Sequence, residues 1–94
     1  MRALIQEVAD ELKQKSFEEL SEIPEHASTK RKVEGKAVTV SVWRDRVSDS
    51  ELQIVVQGYR HFALGIGKMD AIGFQMTRNG DLRELRRDEI YEFV

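Results

Sequence analysis

Lys36-Ala37-Val38-Thr39-Val40-Ser41-Val42-Trp43-Arg44-Asp45-Arg46 is the stretch on which the fold turns. Its even positions hold Val38, Val40 and Val42, and its odd positions hold Thr39, Ser41 and Trp43. Alternation with a period of two sends successive side chains to opposite faces, so the stretch reads as a strand with one apolar face. Leu52 to Phe62 repeats the pattern, with Leu52, Ile54 and Val56 set against Gln53, Val55, Gln57 and Tyr59. A third run sets Ile72, Phe74 and Met76 against Ala71, Gly73, Gln75 and Thr77. It ends at Asn79-Gly80, a dipeptide suited to a tight hairpin with two positive φ angles, and Leu82 to Leu85 then returns as a short strand. Ser48-Asp49-Ser50 joins the first two runs, Gly65-Ile66-Gly67 separates the next two, and Glu34-Gly35 turns a leading Lys30–Val33 strand into Lys36. Short connections make neighbours antiparallel, which predicts a four- or five-stranded meander.

The period before Thr29 is different. Leu4, Ile5, Val8, Ala9 and Leu12 form one stripe at helical spacing, with Gln6, Glu7, Asp10 and Glu11 directed elsewhere. Ser16 and Glu19 have the spacing of a capping box for a second short helix carrying Phe17 and Leu20; one longer helix bent near Ser16 is the alternative. Either ends before Pro24, whose ring disfavours helix at Ile23. Arg87 to Phe93 reads as a closing helix with Ile90 and Phe93 three apart. The fold class is α+β: the opening helix lays its Leu4, Val8, Leu12 stripe on the even-numbered face of the sheet.

At 94 residues the chain is expected to form a single domain, 1–94. Cys is absent, which excludes disulfides, thiolate metal sites and cysteine nucleophiles. Seventeen acids against fifteen bases leave a net charge of −2, so bulk attraction to nucleic acid or anionic lipid is not expected. Residues 1–29 carry seven acids and three bases, and residues 30–94 carry ten acids and twelve bases, making the two parts charge-complementary. No apolar run approaches a membrane span, and the expectation is a soluble, cytoplasmic protein.

Catalytic, cofactor and metal motifs are missing. Gly65-Ile66-Gly67-Lys68 fails as a phosphate loop because Phe62 stands where its first glycine belongs and Met69 follows the lysine in place of Ser or Thr. His26 and His61 are the only imidazoles and lie on different elements. His61 with Asp70 or Asp45 could support acid–base chemistry only if folding joins them, so a small enzyme or ligand carrier is the weakest reading. No catalytic residue, cofactor or metal ligand is assigned.

The odd-numbered face of the central strands is polar yet almost uncharged, although 34% of the chain is charged. Aromatic and amide side chains with charges displaced to the rim suit an interface centre. The leading expectation is therefore a non-enzymatic interaction or regulatory module binding a protein partner, most simply a second copy of itself, through Trp43, Val55, Gln57, Tyr59 and Gln75. Against it stands internal cover of that face by the second or the last helix. The rival is a nucleic-acid-binding module using Lys30, Arg31, Lys32 and Arg60. A plainer role for Lys30–Lys32 is to guard a sheet edge. Gly58 falls in register with the core face, where it would leave space for Phe74 or mark a bulge.

Overall fold

The two periods resolve into two helices laid on one face of a five-stranded sheet. A computed structural model describes residues 2–33, 35–61, 67–86 and 88–90. The helices are α1, Arg2–Lys13, and α2, Phe17–Glu22. The strands are β1, His26–Val33; β2, Lys36–Ser48; β3, Glu51–His61; β4, Gly67–Thr77; and β5, Leu82–Glu84. They follow sequence order in an antiparallel meander, and a short helical turn at Asp88–Ile90 follows. The remainder of the expected closing helix, Phe93 included, lies outside the described residues.

The parity of the strands holds on the helix side. Val38, Val40, Leu52, Ile54, Val56, Ile72, Phe74 and Met76 form one buried cluster with Ile5, Ala9, Phe17 and Leu20. The deepest part of the α1 stripe is Ile5 and Ala9, whereas Leu4, Val8 and Leu12 pack at its margins. The expected stripe was thus rotated by one position, because an apolar arc five residues wide leaves its centre undetermined within one turn.

α1 and α2 are separate helices. The Ser16 side chain accepts from the Glu19 N–H, and the Glu19 carboxylate accepts from the Ser16 N–H, both at 3.2 Å. Two orphan donors are thereby satisfied. The chain then enters β1 beside Arg44, whose guanidinium Nε donates to the Ile23 carbonyl at 2.8 Å.

Several local expectations need correction. β1 begins at His26, four residues before the expected Lys30, and all its residues are exposed except half-buried Val33. An edge strand with little buried side has no alternation to read. The β4–β5 connection is a three-residue loop, not a two-residue one: the Gly80 N–H donates to the Thr77 carbonyl and the Thr77 N–H to the Asp81 carbonyl, with Gly80 at φ +91°. Gly67 opens β4, and residues 62–66 lie outside the described residues. Gly58 sits in unbroken register between Val40 and Asp70, so it marks no bulge, and Phe74 pairs instead with Ile54. The charge asymmetry of the two parts does not dictate their ion pairs. Arg2 with Asp70 (2.6 Å) and Lys13 with Glu84 both place the base on α1 and the acid on the sheet.

Candidate interaction surface

The sheet face opposite the helices carries the residues singled out from the sequence. Register places Trp43 opposite Val55 and Val55 opposite Gly73; Ser41, Gln57 and Ala71 form the next row, and Thr39, Tyr59 and Met69 the one after. Asp45, Gln53, Gln75 and Arg83 form a row at the far end. β1 adds His26 beside Trp43, Ser28 beside Ser41, Lys30 beside Thr39 and Lys32 beside Ala37. Sequence reasoning gave β1 no parity, so it missed that His26, Ser28, Lys30 and Lys32 share this face.

The face is only partly open. Val55 is completely buried beneath Leu85 and Ile90, with Trp43 and Ala71 packed around them. Val55 is thus withdrawn from the exposed surface proposed for it, because the segment after β5 folds back over it. This cover is tied down by charge. Arg83 donates to both carboxylate oxygens of Glu89, at 3.1 and 2.9 Å, and the Arg86 N–H donates to Glu89 Oε1 at 3.0 Å. Those donors hold the Glu89 carboxyl at about 2, well below its ordinary value, with Arg83 the larger cause.

The glutamines have internal partners as well. Gln75 donates to Gln53 Oε1 at 3.2 Å and accepts from Arg83 at 2.8 Å, extending the Arg83–Glu89 pair across β3 to β5. Gln57 accepts from the Trp43 indole N–H at 3.4 Å and directs its amide N–H toward the Met69 sulfur. The indole stacks on the His26 ring, with centroids 3.8 Å apart and planes 16° from parallel. Ser28 bridges Ser41 (2.9 Å) and His26 (3.2 Å). What stays available is a strip across β1 to β4: half-buried Thr39, Ser41, Gln57 and Tyr59, with exposed Met69, Ser28, Lys30 and Lys32.

The basic set divides between faces. Lys30 and Lys32 lie on the open face, while Arg31, Val38 and Arg60 form a row on the helix side. Lys30, Arg31 and Lys32 enter no ion pair among the described residues.

A shallow cleft of about 390 Å³ lies where α1, β4 and the C-terminal turn meet, lined by Arg2, Gln6, Asp70, Ile72, Glu84 and Leu85 among others. Its carboxylates already pair with Arg2 and Lys13. Asp45 and Asp70 stand on opposite faces of the sheet, and the His61 side chain lies outside the described residues. No three His, Asp or Glu side chains gather as a metal site among the described residues. No helix among them is long and apolar enough to cross a membrane. Compared with known proteins, the chain matches no family model, no curated protein and no solved structure.

Proposed function

We propose that this protein is a non-enzymatic interaction module whose working surface is the uncovered strip of the sheet, with Gln57 and Tyr59 at its centre and Trp43 and Gln75, both engaged by internal partners, at its rim. One observation carries the reading. The C-terminal segment covers Val55 but leaves the neighbouring strip, uncharged from β2 to β4, and an exposed Met69 accessible. Uncharged, partly apolar sheet surface of this kind is economical at an interface centre and unusual on a face meant for water. A second copy is the simplest partner, since closed two-fold dimers are the commonest assembly of small domains. Analytical ultracentrifugation tests it: the protein should self-associate at high micromolar concentration, and Thr39→Arg or Met69→Lys should return it to monomer. A protein monomeric throughout that range overturns the self-association.

Nucleic-acid binding is the second reading, favoured by Lys30 and Lys32 sharing a face with Tyr59. Against it, Arg31 and Arg60 lie on the other face, and the indole of Trp43 is engaged by His26. It predicts binding to single strands that weakens steeply with salt.

A further inference from the structure

The outer edge of β1 is left unpaired by the sheet among the described residues. The Glu25 carbonyl accepts from the Arg44 N–H at 2.9 Å, which sets the alternation of the β1–β2 ladder. Odd-numbered residues of β1 exchange hydrogen bonds with β2, while His26, Ser28, Lys30 and Lys32 turn their backbone N–H and C=O groups to the outer edge. The register runs from His26–Trp43 to Val33–Lys36 without a shift, and no strand flanks this edge among the described residues. Bulges, prolines, short length and charged side chains, lysine above all, are the usual ways to blunt such an edge. β1 has no bulge or proline over eight residues and is guarded by Lys30, Arg31 and Lys32, consecutive and in no ion pair among the described residues; such a guard repels a basic strand but attracts an acidic one.

We propose that β1 accepts an acidic extended segment of a partner protein as a sixth antiparallel strand. Main-chain bonds to His26, Ser28, Lys30 and Lys32 would hold it, and three consecutive carboxylates would answer Lys30 and Lys32 on one face and Arg31 on the other. The same cations discriminate against a second copy: pairing β1 with itself gathers six of them in one ribbon with no acid on either strand. The edge shares Ser28, Lys30 and Lys32 with the strip but not Thr39 or Met69, whose substitutions therefore test the strip alone.

Amide hydrogen exchange on the intact protein provides the test, at concentrations below any self-association. The probes are a short Thr/Val peptide with three central glutamates, the same peptide with lysines, and a single-stranded oligothymidylate. The glutamate peptide is expected to slow exchange at Ser28, Lys30 and Lys32 selectively. Ser28→Pro removes one outward N–H without touching charge or the main-chain ladder to β2, and should bind roughly tenfold more weakly than Ser28→Ala, which controls for the lost hydroxyl bonds to Ser41 and His26. Lys30→Glu with Lys32→Glu should transfer preference to the lysine peptide, a result that does not depend on how the proline is tolerated. Equal binding of both peptides, binding without protection of those amides, or tighter binding of the oligothymidylate would each overturn the proposal.

Discussion

Leu85 occupies the space that a side chain at Gly73 would need. A β-carbon built on Gly73 would lie 2.7 Å from Leu85 Cδ1 and 2.9 Å from the Ile54 carbonyl oxygen. The glycine is therefore a socket, and the leucine that fills it draws the C-terminal segment over Val55.

Gly73→Ala should destabilise the protein by about 1–3 kcal/mol, because the Ile54 contact is backbone and cannot rotate away. Leu85→Ala, which empties the socket, should cost about 2–3 kcal/mol. The double variant should cost less than the sum, since half of the clash is removed with the leucine. Urea unfolding of all three closes the cycle. Strict additivity would show that the two residues do not share this space in solution.

The Arg83–Glu89 clamp gives the cover a dependence on pH. The Glu89 carboxyl is lowered from 4.5 to about 2, so the docked form binds fewer protons than the released one. The clamp's contribution is complete above the ordinary carboxylate range and is lost as pH falls through it toward about 2. Trp43 packs against the Leu85–Ile90 cluster and reports the change by fluorescence. The acid transition of the wild type should exceed that of Glu89→Gln in this window. Superimposable curves would remove Glu89 from the account.

A capping variant probes a different part of the molecule. The Ser16 backbone N–H and hydroxyl together hold the Glu19 carboxyl below its ordinary value. Ser16→Ala should cost about 1 kcal/mol and let Glu19 titrate nearer its ordinary range. An NMR titration of the Glu19 carboxyl measures the second effect independently of stability. An unmoved Glu19 would mean that the hydroxyl contributes nothing to it.

The helix side of the sheet was legible because burial imposes alternation, and Val38, Val40, Leu52, Ile54 and Val56 obey it. The open side was legible only in composition. Gln53, Gln57 and Gln75 share a face as their parity requires, but periodicity could not disclose that Gln75 reaches Arg83 or that Gln57 serves the Trp43 indole. Cover of this face by the closing segment stood in the sequence only as an alternative, and its place over Val55 could not be read: it depends on an absent side chain at Gly73 meeting Leu85 across strands, a relation with no sequence spacing. β1 was read too short because an exposed edge places no demand on side-chain polarity, so Ala27, Ser28 and Thr29 carry no signal.

Two turns offer a clean measure of backbone strain. Gly35 at φ +78° and Gly80 at φ +91° both adopt the left-handed region, and a β-carbon at either would meet nothing within 4 Å. Any cost of Gly35→Ala or Gly80→Ala is therefore conformational and not steric crowding by neighbours. About 1–2 kcal/mol is expected at each, with Asn less costly than Ala because its side chain tolerates positive φ. The turns lie in separate hairpins, β1–β2 and β4–β5, so the two effects should add. Denaturant unfolding with an unchanged slope provides the measurement. Alanine variants as stable as the wild type would show that the chain can relax these turns at no cost, and the hairpin registers could not then owe their precision to the glycines.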